Sequence, residues 1–204
     1  EVVEASVGER LAKRGDRGSI YDLFRNRLMI PIRDASGNYV AFGGRALGDE
    51  PAKYINSPES VVYKKSHVLY GLYEARDSLR KIKSAFLVEG YFDALRCVDA
   101  GIENVVATCG TALTPGQAKL IKRYAHEVVV VYDGDTAGIR AALRSVGILT
   151  AAGLSVRAMI LPDGQDPDDY ILNAGVEAFR QLAQDAPGFI PFYAHTNAER
   201  TNSI

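Results

Sequence analysis

With 204 residues, 47% hydrophobic and 24% charged, the chain can bury a real core and has the composition of one or two ordinary globular domains. No apolar run approaches the roughly 18 residues that span a bilayer, and no signal-peptide pattern opens the chain, so membrane-spanning and secreted classes are set aside. The net charge of −1 hides a division: residues 1–83 hold 15 Lys+Arg against 11 Asp+Glu, and residues 84–204 hold 9 against 14, a balance that suits polyanions in the first part and metals in the second.

Residues 1–19 are mixed and charged, and no candidate site falls there. From Leu28 to Ile32 an apolar run leads into the turn cluster Arg33-Asp34-Ala35-Ser36-Gly37-Asn38, and Tyr39-Val40-Ala41-Phe42 alternates again. Strand, turn and strand predict a β-hairpin. Gly43-Gly44-Arg45 is expected to end it, with glycines that could admit a ligand to the backbone. Lys53 to Glu59 reads as a short extended piece and a turn, and Leu72, Ala75 and Leu79 give helical spacing between Leu69 and Arg80. Cations recur beside these bends: Arg25, Arg27, Arg45, Lys53, Lys64 and Lys65. As a set they could neutralise several phosphates, with Phe42, Tyr54 and Tyr63 as stacking faces for single-stranded bases. The plainer alternatives are a solvated basic surface and rings that belong to a core.

The second half alternates strand and helix. Ala85–Val88 predicts a strand, followed by a helix to Ala100, and Val105–Ala107 predicts the next strand. Thr114-Pro115-Gly116-Gln117 is a capping box with proline at the first helical position. Glu127–Tyr132 contains four consecutive valines, the pattern of a strand buried on both faces of a parallel sheet. A helix to about Ala152 and a fourth strand over Leu154–Leu161 complete a run of βαβ units.

Ligands of such sheets sit outside the carboxyl ends of the strands. Glu89 ends the first strand, Asp133 and Asp135 end the third with Gly134 allowing a sharp turn, and Asp166 and Asp168 follow the fourth. One Asp-Gly-Asp alone is more often a helix cap. A strand order of 2-1-3-4 would bring all five carboxylates to one edge, and three acidic groups at equivalent ends point to a metal site. Carboxylate-only clusters suit hard cations, Mg²⁺ first and Mn²⁺ second. The absence of a GxxxxGK[ST] motif excludes a P-loop. The residues thus predict metal-dependent phosphoryl transfer, with transferase and hydrolase undecided. Cys97 and Cys109 lie far apart in apolar surroundings, which favours free thiols and a reducing compartment, and the three histidines offer no zinc-ligand spacing.

Glu89-Gly90-Tyr91-Phe92-Asp93, Tyr132-Asp133-Gly134-Asp135 with Ala137-Gly138 and Ala141-Ala142, and Asp166-Pro167-Asp168 resemble the motifs of a TOPRIM domain, in particular that of bacterial DnaG-type primases. Residues 25–34, Phe42-Gly43-Gly44-Arg45, residues 53–59 and residues 69–75 resemble segments of the primase core outside TOPRIM. The likeness runs over roughly residues 20–190 in order. It implies an α/β fold: a TOPRIM-type parallel sheet flanked by helices over residues 83–170, after a smaller mixed α/β basic subdomain over 1–82 and before the start of a helical subdomain over 171–204.

The resemblance implies DNA-templated RNA primer synthesis from ribonucleoside triphosphates in the bacterial cytoplasm. Glu89 is implied as a metal ligand and acid/base, Asp133 and Asp135 as metal ligands, and Asp166 and Asp168 as completing a second cation site. Asp93 is implied as a supporting acid, and Arg25, Arg27, Arg45, Lys53 and Lys65 as contacts to template or nucleotide phosphates. Full-length members carry a zinc module for template recognition and a module that docks on the replicative helicase. The expectation is that this chain is a core fragment without either, holding Mg²⁺ and no zinc. A TOPRIM nuclease and a non-catalytic nucleotide or single-strand binding module are the alternatives. A topoisomerase would need a nucleophilic tyrosine that none of those here resembles.

Overall fold

Ala12–Arg14 (β1) and Ile20–Asp22 (β2) pair antiparallel with Ala12 opposite Asp22, a small hairpin in a stretch whose mixed composition gave no periodic signal. The computed structural model describes residues 11–15, 18–110, 112–133, 136–188 and 191, without the side chains of 136–140 and 163. It divides into two units, one through Lys65 and one from Ser66.

In the first unit, Arg27–Arg33 (β3) and Tyr39–Ala46 (β4) form the expected hairpin, and Tyr54–Asn56 (β5) pairs with the far end of β4. The turn between β3 and β4 is closed by Asp34, whose carboxylate accepts from the backbone N–H of Ser36 at 2.8 Å and of Asn38 at 2.9 Å. One expectation is corrected here. Gly43 and Gly44 do not end the strand; β4 runs through them to Ala46, with Gly44 opposite Met29 on one side and Ile55 on the other. A Cβ on Gly44 would stand 2.6 Å from Cδ1 of Phe24, so the close approach belongs to an aromatic ring of the same chain. Gly44→Val is therefore expected to push Phe24 off the sheet and lower stability by about 1–3 kcal/mol. A drop in the urea midpoint would show it, and an unchanged midpoint would refute the contact.

The second unit begins within a 3₁₀ turn, Lys65–His67, and carries the parallel sheet. Its elements are Leu72–Ile82 (α1), Ser84–Val88 (β6), Tyr91–Asp99 (α2), Val105–Ala107 (β7), Pro115–Lys122 (α3) and Glu127–Tyr132 (β8). Thr136–Ala151 (α4), Ser155–Ile160 (β9), Pro167–Ala174 (α5) and Val176–Asp185 (α6) follow. The strand order is β7-β6-β8-β9 and every pairing is parallel, which is the expected 2-1-3-4 order. Parallel neighbours require crossovers, and a helix supplies each one.

Residues Val128–Tyr132 of β8 are all buried, as a central strand covered on both faces requires. The capping box of α3 forms as read: the Thr114 hydroxyl accepts from the Gln117 N–H at 3.2 Å, and Gln117 Oε1 accepts from the Thr114 N–H at 3.0 Å. Gln117 is itself fully buried, and its amide donates to the Val68 carbonyl at 2.9 Å, so no orphan polar group is left by its burial. On another part of the unit, Phe179 of α6 is fully buried. It meets Phe86 of β6 with ring centroids 5.6 Å apart and Tyr170 of α5 at 6.4 Å. Cys97 and Cys109 are both buried and unbridged. Among the described residues no helix is long and apolar enough to cross a membrane.

Candidate active site

Leu87 of β6 stands opposite Val130 of β8, so Glu89 and Asp133, two and three residues further on, leave the sheet at the same carboxyl edge. β9 runs parallel to β8 with Tyr132 opposite Ile160, and beyond it Asp166 caps α5. Asp133 is partly buried and Glu89 exposed. Asp135 lies outside the described residues.

The backbone at Glu89 is fixed by the segment after β7. The Thr108 N–H donates to the Val88 carbonyl at 3.3 Å, and the Cys109 N–H donates to the Glu89 carbonyl at 2.9 Å. Cys109 makes this bond with a positive φ of 50°, a conformation costly for a residue with a Cβ and characteristic of functional edges. Asp93 completes the support: its Oδ2 accepts from the Gly90 N–H at 2.8 Å, closing the first turn of α2.

Asp93 also reports on the charge of the edge. Burial pushes its carboxyl up to about 7 against the lowering effect of the Gly90 hydrogen bond, and the charges of Asp166, Asp133 and Glu89 push it further in the same direction. Four acids from three different strand ends therefore share one electrostatic neighbourhood. An aspartate ionises near 3.8 in the unfolded chain, so this group's contribution to stability is intact below that pH and is lost as the pH rises through about 7. Asp93→Asn keeps an acceptor for the Gly90 N–H and removes the ionisation. In metal-free buffer we expect the native chain to lose up to about 4 kcal/mol between pH 4 and pH 8 through this group, and the Asn variant to be spared. Parallel pH profiles for the two proteins in chemical denaturation would refute it.

The second acidic pair is already engaged. Asp166 is the N-cap of α5, accepting from the Asp169 N–H at 2.8 Å. Asp168 accepts from Arg96 Nε of α2 at 2.6 Å, and Arg96 also pairs with Asp99 at 3.2 Å. Among the described residues no group of three His, Cys, Asp or Glu side chains is gathered tightly enough to hold a metal. The donor chemistry nonetheless fits a hard cation: oxygen ligands only, with like charges concentrated where two strands end. Arg96 had no motif to mark it. Its signal was helical spacing, since Arg96 follows Asp93 by three residues and shares its face.

The first unit's cations divide into two kinds. Arg27 Nη1 donates to the carbonyls of Gly44 at 3.2 Å and Lys53 at 3.4 Å, tying β4 to the segment before β5. Arg25 lies 4.8 Å from the centroid of the Tyr21 ring and Arg45 5.8 Å from that of Tyr54, while Lys53 is exposed. Lys65 is half-buried in the 3₁₀ turn, its backbone N–H donating to Glu59 at 3.0 Å. Of the three candidate stacking rings, Tyr63 is buried as a core residue, Phe42 is half-buried and Tyr54 is exposed.

Beside the acidic edge, a cleft of about 270 Å³ is lined by Glu89, Thr108, Leu113, Tyr132, Arg144 and Ser145 among others. At its wall the Tyr132 hydroxyl and Ser145 Oγ are buried and 2.5 Å apart. Arg144 went unnoticed in the sequence because it follows the acidic motif by nearly three helical turns. Its spacing from Ala141 and Ile148, three and four residues away, is what places it on the cleft.

Two family models match the chain: "DNA primase catalytic core, N-terminal domain" over residues 3–76 and "Toprim-like" over residues 86–171. The DNA primase of Halalkalibacterium halodurans is 48% identical over 181 residues, which are 89% of this chain and 30% of that protein. The crystal structure of the zinc binding and RNA polymerase domains of Aquifex aeolicus primase is 40% identical with a TM-score of 0.88, covering 98% of this chain and 50% of that one. A DnaG primase catalytic domain bound to ssDNA is 37% identical with a TM-score of 0.88, covering 95% of this chain and 63% of that one. The chain thus spans about a third of the length of the curated relatives it matches.

Proposed function

The chain belongs to the bacterial DnaG-type DNA primase family, as a stretch of its catalytic core, and on that premise we propose that it serves RNA primer synthesis on single-stranded DNA by metal-dependent nucleotidyl transfer. The reading is supported by one observation: the parallel register of β6, β8 and β9 brings Glu89 and Asp133 out at the same carboxyl edge of the sheet, with Asp166 following β9. The bacterial cytoplasm is the setting that goes with it.

In this reading Glu89 and Asp133, with Asp135, would hold one Mg²⁺ or Mn²⁺, and Asp166 and Asp168 would hold a second. A bound cation supplies Lewis-acid stabilisation of charge on the transferred phosphate. Glu89 takes the proton of the attacking 3′-hydroxyl while its oxygen bonds to the α-phosphorus of the next ribonucleoside triphosphate, and pyrophosphate leaves. Asp93 acts through the Gly90 N–H, holding the turn that aims Glu89. Arg96 holds Asp168 until a cation competes for it. Arg25, Arg45, Lys53 and Lys65 bind template or nucleotide phosphates, and Arg27 does so with the donors its two carbonyl partners leave.

The test is primer synthesis on a single-stranded template with ribonucleotides and Mn²⁺, comparing the native chain with Asp133→Ala. We expect RNA products from the native chain and none from the variant. Template affinity should stay within about twofold, because it rests on the cations of residues 25–65 and falls with salt in both proteins. A native chain that binds template and nucleotide but makes no product would be a binding module, and the proposal would fail.

A further inference from the structure

Among the described residues, five arginines of the second unit pair with acids of their own chain: Arg76 and Arg80 with Asp77, Arg96 with Asp168, Arg157 with Glu127 and Arg180 with Glu177. Two cations are placed differently. Arg144 of α4 is exposed and lines the 270 Å³ cleft that begins at Glu89. It also lines a groove of about 470 Å³ between α3 and α4, together with Lys119, Leu143, Gly147 and Ile148. Arg144 and Ile148 belong to both hollows, so the groove continues the cleft away from the acids. Among the described residues, neither Arg144 nor Lys119 forms an ion pair.

The surfaces around these two cations are shaped for a ligand that is anionic and needs room. Gly147 sits one turn beyond Arg144 and lines the same groove, and a Cβ built on it would meet nothing within 4 Å, so the helix surface is open there. At the cleft, the Tyr132 hydroxyl and Ser145 Oγ are bonded to each other and buried. Glu89, Tyr132 and Arg144 line the same cleft, so the acid and the guanidinium open onto one space. A nucleoside triphosphate brings about four negative charges, which an edge lined by carboxylates repels unless cations stand within reach. A guanidinium offers paired N–H donors that match two phosphate oxygens, and the apolar groove walls of Leu143 and Ile148 reduce the screening of that contact.

We propose that Arg144, seconded by Lys119, is the phosphate-holding wall of the nucleoside triphosphate site whose other wall is Glu89 and Asp133. The inference deepens the nucleotidyl-transfer reading and rests on it for the identity of the ligand.

Calorimetric titration of the 204-residue chain with ATP in Mg²⁺ tests it, with a single-stranded oligonucleotide titrated in parallel. Arg144→Ala should weaken ATP binding about tenfold or more, and Arg144→Lys should recover part of the loss. Gly147→Glu introduces a carboxylate into open space on a helix. It should weaken ATP binding to a similar degree while leaving the thermal midpoint unchanged or raised, which separates loss of the site from loss of the fold. Oligonucleotide affinity should not change in any of these variants. Native-like ATP binding by Arg144→Ala overturns the proposal, as does a loss confined to the oligonucleotide or a native chain that binds no ATP. ATP binding that needs Arg144 but is indifferent to Glu89→Gln and to Mg²⁺ supports the phosphate wall and removes the nucleotidyl-transfer reading. The reverse pattern keeps that reading and removes Arg144.

Discussion

Glu89→Gln is expected to reduce nucleotide addition by about a thousandfold or more while leaving the protein folded and bound to its template. The fold should not register the change. Glu89 is exposed, it follows the last core residue of β6, and its backbone carbonyl accepts from the Cys109 N–H. Glutamine has nearly the same shape and retains an oxygen acceptor, so what disappears is the negative charge and the ability to take up a proton. Proton transfer by a positioned side chain contributes about 10²–10⁴-fold, and loss of a charged ligand for the cation adds to that. Single-turnover incorporation of one labelled ribonucleotide would read the effect directly. Activity within tenfold of native would mean that Glu89 is neither base nor ligand. Cleavage of the template that vanishes with the same substitution would instead assign the edge to phosphodiester hydrolysis.

The strands and their order were legible because burial writes itself into sequence. Four valines in a row can only be satisfied by cover on both faces, and helical spacing between the apolar runs leaves parallel pairing as the solution. The common edge followed from that topology alone, which is why Glu89, Asp133 and Asp166 could be grouped before any distance was known. Side-chain partnerships were not legible in the same way. Arg96 and Asp168 are separated by 72 positions and meet only because α2 packs against α5. Gly44 looked like a strand terminator because glycine is rare inside strands, and nothing in the chain announces that the Phe24 ring fills the space above it. Arg27 read as a candidate phosphate contact, yet its reach is set by the hairpin register that puts Gly44 and Lys53 carbonyls beside it. Local pattern yields elements and edges; long-range packing decides what each charge is tied to.

The largest effect on stability should come from Phe179→Ala. Phe179 is fully buried and, among the described residues, is the bulkiest of the fully buried side chains, in contact with Phe86 of β6 and Tyr170 of α5. Truncating such a ring removes its transfer free energy and leaves a cavity that two further rings can only partly close, a loss of about 3–5 kcal/mol. That is a large fraction of the stability of a domain this size, and a fall of several degrees in the thermal midpoint should show it. The consequence for the site is specific. α5 carries Asp166 and Asp168, whereas Glu89 and Asp133 leave strands whose core contacts include many valines and leucines besides Phe86. At a temperature where the variant remains folded, Mn²⁺ titration should therefore show the weaker of two binding steps lost or loosened and the tighter one kept. Equal weakening of both steps would mean that the α5 acids and the strand-end acids form one inseparable cluster. Unchanged binding at both would mean that α5 is held in place without Phe179.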